Sequence, residues 1–182
     1  MGNESQKDNQ DIQKEILENK LTSTRIPRRF EGAESKDGKE IKDGNGYWFV
    51  GAVGTGKTWQ AVATLKKFVL NMQGTGLFVT VPDLLEEIRR GYNDRSQGDF
   101  LDRVCTIGLL VLDDLGVEKQ TEWVSEKLYQ IINGRYNAML PTVVTSNLSV
   151  ENVEELLGQR LVSRLLGCCK IVALEGEDRR LK

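Results

Sequence analysis

The stretch Gly51 to Thr58 reads GAVGTGKT and fits the spacing G-x-x-x-x-G-K-[ST]. That spacing suits a polyphosphate. Gly51, Gly54 and Gly56, with Thr55 among them, let the backbone turn tightly enough for several N–H groups to face one anion. Lys57 then reaches the β- and γ-phosphates, and the Thr58 hydroxyl is a ligand for Mg2+. A second signal is the acid pair Asp113-Asp114, directly after the apolar run Ile107 to Leu112. A hydrophobic strand followed by an acid is the Walker B pattern. Asp113 would hold Mg2+ through water, and Asp114 would orient or activate an attacking water. The bland alternative is that both merely start a turn. Asn147 follows another apolar strand and is a candidate to hydrogen-bond that water or the γ-phosphate. On its own, an Asn in that place is a turn residue. Arg160 and Arg164 lie four apart and share one helix face. They are either solvent-exposed charges or an arginine finger for a neighbouring subunit's γ-phosphate, a device worth roughly 10³ or more in rate.

These residues need a scaffold that brings strand ends together. Tyr47 to Val50, Gly76 to Val81, Ile107 to Leu112, Pro141 to Thr145 and Lys170 to Leu174 read as strands. Helices are expected over Trp59 to Met72, Pro82 to Arg90, Asp99 to Val104, Glu122 to Met139, Val150 to Leu157 and Gln159 to Leu166. Strand–helix alternation with near-continuous apolar strands predicts an α/β fold with a parallel five-stranded sheet between helices. Ligands bind beyond the carboxyl ends of such strands, which is where the phosphate loop, the acid pair and Asn147 fall.

Residues 1–46 form an extension before the core, and residues 47–182 the core itself. Asp8 to Leu21 has helical spacing of Ile12, Ile16, Leu17 and Leu21, for packing on the core or on a partner. Glu31 to Gly46 reads as a solvated loop, with the core beginning at Tyr47. Gly91 to Gly98 reads as a polar loop and Glu175 to Lys182 as a charged tail.

Composition excludes several classes. The 182 residues hold no histidine, which removes His-based acid–base chemistry and His-ligated metals. Cys105, Cys168 and Cys169 form no C-x-x-C pair, so a zinc site is not expected and a reducing, cytoplasmic setting is. A net charge of -2 excludes a strongly basic nucleic-acid binder but leaves a local basic face possible. No apolar run has the length of a membrane span.

Several ordered motifs together resemble a known family. VPDLLEEIRRGYNDRS, LLVLDDLG, TSN and LGQRLVSRLLG, with IPRRF before them, are similar to the AAA+ ATPase domain of the DnaC/DnaI-type replicative helicase loaders and the related IstB-like ATP-binding proteins. The likeness covers roughly Ile26 to the C-terminus. It implies an AAA+ P-loop NTPase with a minimal or absent helical lid, using ATP/ADP and Mg2+. It implies Walker A at Gly51 to Thr58, Walker B at Asp113 and Asp114, and sensor I at Asn147. The finger falls on Arg164, with Arg160 as its neighbour, and a sensor II arginine falls on Arg180, with Arg179 beside it. The partners implied are the ring-shaped replicative helicase, single-stranded DNA and further copies of the chain, which share ATP sites between subunits. Arg89 and Arg90 are candidates for DNA backbone contact, or simply an exposed helix end. Family members often carry Glu at the second Walker B acid. Asp114 is shorter, which predicts slow hydrolysis. Loaders of this type usually carry a separate N-terminal helicase-binding domain, whereas only a helix and a loop precede the core here. Two other readings stand beside this one: an IstB-like transposition helper with the same ATPase, and a small-molecule P-loop kinase.

Overall fold

The computed structural model describes residues 15–178 except 17, 72 and 92–96. The sheet consists of β1 (Gly46–Val50), β2 (Gly76–Thr80), β3 (Leu109–Asp113), β4 (Thr142–Ser146) and β5 (Cys169–Ala173). All pairings are parallel, in the order β2-β3-β4-β1-β5. The helices packed around the sheet include α1 (Lys57–Leu70), α2 (Val81–Gly91), α3 (Gln97–Thr106), α4 (Glu122–Asn137), α5 (Val150–Leu157) and α6 (Gln159–Cys168). The alternation that suggested a parallel α/β sheet is therefore realised.

Side chains along each strand alternate between two cores, as a period of two requires. Leu110 and Leu112 of β3 join Leu77, Val79, Val144 and Trp48 beneath α2 to α6. Leu109 and Val111 join Phe49, Phe78 and Val143 beneath α1. Both faces of β3 are thus apolar, and the strand reads as one continuous hydrophobic run.

The second core explains the main departure from the sequence reading. One helix cannot cover five strands. The segment expected to be a solvated loop fills the remainder, with Ala33 and Ile41 buried in the same core as α1. Gly38 lies directly against α1, where a Cβ would fall 2.3 Å from the Ala63 carbonyl oxygen. The Lys39 N–H donates to Thr64 Oγ1 at 3.0 Å, and Lys67 Nζ donates to the Gly38 carbonyl at 3.1 Å. The core accordingly begins before Tyr47. Of the predicted Asp8 to Leu21 helix, residues 8–14 and 17 lie outside the described part. Residues 18–22 are helical, and Leu21 packs on the second core.

Smaller shifts matter for the site. β3 runs to Asp113 rather than stopping at Leu112, and β4 runs to Ser146 rather than Thr145. The acid is therefore fixed by the sheet itself. β3 starts at Leu109, not Ile107, and the Ile107 carbonyl instead accepts from the buried Arg135. Helix α3 begins at Gln97, earlier than expected, and α4 ends at Asn137 rather than Met139, which has a positive φ of 53°.

Candidate nucleotide site

The site is built where β1, β3 and β4 end. β1 runs into the loop 51–56, and α1 begins at Lys57. Gly56 stands immediately before that helix with φ 94°, a left-handed conformation that a side chain resists. It has no side chain to cap the first turn, whose N–H groups remain for an anion. Gly54 also has a positive φ, of 80°, and a Cβ there would fall 1.9 Å from Asp178 Oδ1. The described tail thus returns to the phosphate loop, anchored by the Leu174 N–H donating to the Val50 carbonyl at 2.8 Å.

Lys57 is buried, and its amine donates to the Gly51 and Ala52 carbonyls at 2.8 and 2.7 Å. Thr55 Oγ1 donates to the same Ala52 carbonyl at 2.9 Å. The loop is thereby preformed around its cation. In front of it opens a cleft of about 680 Å3, lined in part by Gly54, Gly56, Lys57, Thr58, Asp114 and Asn147.

Asp113 is 4% exposed. Its Oδ1 accepts a hydrogen bond from Thr145 Oγ1 at 2.7 Å, and the Thr58 hydroxyl also bonds the carboxylate. Burial pushes the Asp113 carboxyl up to about 6. The Thr145 bond opposes this, the neighbouring Asp114 charge adds to it, and the Thr58 bond and Lys57 oppose it again. A hydroxyl bonded to a buried carboxylate beside a buried amine suits a hard divalent cation with a phosphate. Asp114 has φ 61°, and its N–H donates to Thr145 Oγ1 at 2.9 Å.

The structure therefore brings Lys57, Thr58, Asp114 and Asn147 to one cleft, with Asp113 buried directly behind Thr58. It does not bring Arg164 there. Arg164 sits on α6, with Nε donating to Asn133 Oδ1 at 3.0 Å and the guanidinium 4.8 Å from the centre of the Tyr136 ring. With Arg160, Ser163 and Tyr129 it lines a separate hollow of about 330 Å3. Arg89 lies 4.5 Å over the Trp123 ring. Arg179 and Arg180 lie outside the described residues.

Sequence reasoning missed part of the wall. Arg29, Phe30, Val53 and Trp59 also line the cleft, so IPRRF is part of the site and not only a lead-in. The position of Trp59 directly after Thr58 was the available signal. Thr145 was missed as well, although it stands two residues before Asn147. Among the described residues no helix is long and apolar enough to cross a membrane, and no group of His, Cys, Asp and Glu is placed to hold a metal by itself.

Residues 39–182 match the family model described as IstB-like ATP binding protein. The replicative helicase loader DnaI of Bacillus subtilis is 28% identical over 158 residues, covering 80% of this chain and 50% of that protein. The replicative helicase loader DnaC of Escherichia coli K12 is 28% identical over 127 residues, covering 68% of this chain and 51% of its own length. The chain thus spans about half the length of these curated relatives. A crystal structure of the DnaC helicase loader superposes with a TM-score of 0.74 at 26% identity, covering 82% of this chain and all of that one.

Proposed function

Because the chain belongs to the IstB-like ATP-binding protein family, with the AAA+ P-loop fold of the helicase loaders, we propose that it is an ATPase that helps load the replicative helicase onto single-stranded DNA. The observation that carries the proposal is the division of the site. Lys57, Thr58, Asp114 and Asn147 line one cleft with Asp113 buried behind Thr58, while Arg164 is braced on α6 outside it. An ATP bound in the cleft would be completed by Arg164 of a neighbouring copy, so nucleotide binding and assembly would be one event.

The roles follow from the chemistry. Lys57 would exchange its loop carbonyls for the β- and γ-phosphates. Thr58 and Asp113 would hold Mg2+, which when bound offsets charge on those phosphates. Asp114 would orient the attacking water, and its short side chain makes hydrolysis slow. Asn147 would hydrogen-bond that water or the γ-phosphate. Phe30 and Trp59 supply aromatic wall for the rest of the nucleotide. The extension, residues 1–46, would grip the partner by its N-terminal end, while Ala33 and Ile41 anchor it to the ATPase core.

The test is ATP turnover with and without single-stranded DNA, read alongside oligomer size in ATP and in ADP. We expect slow turnover that rises with DNA, and a larger assembly in ATP. Arg164→Ala should keep ATP binding but lose both assembly and turnover. Unchanged turnover by monomeric Arg164→Ala protein would refute the shared site. The resemblance to the IstB-like transposition helpers gives a second reading, an ATPase serving a transposase on duplex DNA. Pull-downs with helicase and with transposase separate the two.

A further inference from the structure

We infer that Thr145 is the positioning residue of this nucleotide site. Its single hydroxyl sets both the Asp113 carboxylate and the Asp114 backbone, and so decides whether the site responds to a divalent cation. The inference rests on reading the cleft as a Mg2+–nucleotide site.

The sheet order creates the need for such a residue. β4 lies between β1, which feeds the phosphate loop, and β3, which ends in Asp113. The loop and the acid are therefore not on neighbouring strands, and the end of β4 lies between them. Thr145 occupies that place, level with Phe49 on β1. It is fully buried.

Regular pairing of β3 with β4 stops at Leu112 and Val144. Beyond that point the end of β4 stitches the two chains with specific bonds. The Thr145 hydroxyl donates to Asp113 Oδ1 at 2.7 Å and accepts from the Asp114 N–H at 2.9 Å. The Thr145 carbonyl accepts from the Leu115 N–H at 2.8 Å. Ser146 Oγ donates to the Leu115 carbonyl at 2.7 Å. Three successive residues of the acid loop are thus held by two residues of β4.

A hydroxyl has one proton and spare lone pairs. Giving the proton to Asp113 leaves a lone pair for the Asp114 N–H, so the two bonds fix one rotor together. That matters most at Asp114, whose φ of 61° is unfavourable for a residue with a side chain. Valine has the same shape but offers neither bond. It would free the Asp113 carboxylate to turn from Thr58 and leave the Asp114 N–H without its acceptor. Serine keeps the hydroxyl and loses only a methyl group.

The experiment is calorimetric titration of a non-hydrolysable ATP analogue, with Mg2+ and with EDTA, on wild type, Thr145→Val and Thr145→Ser. For wild type and Thr145→Ser we expect Mg2+ to tighten binding. For Thr145→Val we expect roughly tenfold or more of that tightening to disappear, with affinity in EDTA held within about twofold, as expected when Lys57 and the loop are untouched. Equal Mg2+-dependent tightening in Thr145→Val would overturn the inference. So would an equal loss in Mg2+ and in EDTA, which marks a merely structural residue. Wild type that binds the analogue without any response to Mg2+ would instead overturn the reading of the cleft. Should Thr145→Val not fold, Thr145→Ala against Thr145→Ser separates a positioning role from a structural one in the same way.

Discussion

Two buried charges sit at opposite ends of the same two strands, and they are treated differently. At the amino end of β3 and β4 is Arg135, 1% exposed. At the carboxyl end is Asp113, 4% exposed. Arg135 is nearly saturated, with four of its five N–H donors engaged. Nε donates to Thr142 Oγ1 at 2.9 Å, NH1 to the Val104 and Ile107 carbonyls at 3.0 and 2.8 Å, and NH2 to the Pro141 carbonyl at 2.7 Å. Burial lowers its guanidinium to about 10, which leaves it charged at neutral pH. Asp113 has two hydroxyl donors, Thr145 and Thr58, and an acid beside it, and its affinity for protons is raised. One end of the sheet is closed on its own polar groups. The other carries negative charge that a cation in the cleft would balance. Burial disfavours both charges, and the difference lies in their surroundings: Arg135 is enclosed by protein acceptors, whereas Asp113 lies against Thr58 and Asp114, which line the cleft, and that points to a ligand at this end.

The largest effect should come from breaking the closed end. Arg135→Ala strands the Val104 and Ile107 carbonyls, leaves the Pro141 carbonyl only its bond from the Leu110 N–H, and opens a cavity, so we expect a loss of about 3–5 kcal/mol in stability. The melting temperature should fall by roughly 10 °C or more. Nucleotide affinity of the protein that remains folded should stay near wild type. A parallel collapse of nucleotide affinity in Arg135→Ala would mean that the two ends are not independent.

The two ends also differed in how far they could be read from the sequence. The open end was nearly legible, because a phosphate loop needs fixed residue types at fixed spacing, and because Leu109 to Leu112 announce a buried strand just before the acid. The closed end was not. Arg135 follows Gly134 in a helix whose other residues read as amphipathic, and nothing local says that this arginine turns inward. Its acceptors come from α3, the turn before β3 and the start of β4, so the site exists only in three dimensions. The same holds for Ala33 and Ile41, buried within a polar stretch because α1 alone leaves part of one sheet face uncovered. Local composition carries strand period and loop chemistry. It does not carry which surface remains to be covered.

The next effect in size sharpens the open end. The Asp113 carboxyl is raised in the folded protein, so the native state holds its proton more readily than the unfolded chain. Its contribution to stability is fully present below the unfolded pKa of about 4. It is lost as pH rises through about 6. Asp113→Asn removes the titration while keeping an acceptor for Thr145. Without nucleotide or metal, the variant should gain little at pH 4 and on the order of 2 to 3 kcal/mol at pH 8. The same variant should lose the Mg2+-dependent part of nucleotide binding. Urea unfolding at the two pH values checks the first claim. A gain of equal size at both would mean that charge at Asp113 is not what the fold resists.

The smallest effect compares two threonines on β4. Thr142 and Thr145 are both buried, and each hydroxyl accepts one bond and donates another. Thr142 accepts from Arg135 Nε and donates to the Leu140 carbonyl at 3.4 Å. Thr145 accepts from the Asp114 N–H and donates to Asp113. Replacing either with valine costs the same chemistry at a different end. Thr142→Val leaves Arg135 its three carbonyl acceptors, so the guanidinium stays in place and the loss should be about 1 kcal/mol. Because Thr142 touches nothing in the cleft, Mg2+-dependent nucleotide affinity should not move. Thr145→Val, at a similar cost in stability, should change that affinity. If instead Thr142→Val weakens Mg2+-dependent binding as much as Thr145→Val does, then β4 transmits strain along its length. The open end would then owe its geometry to the closed one, and the contrast between two independently built ends would have to be given up.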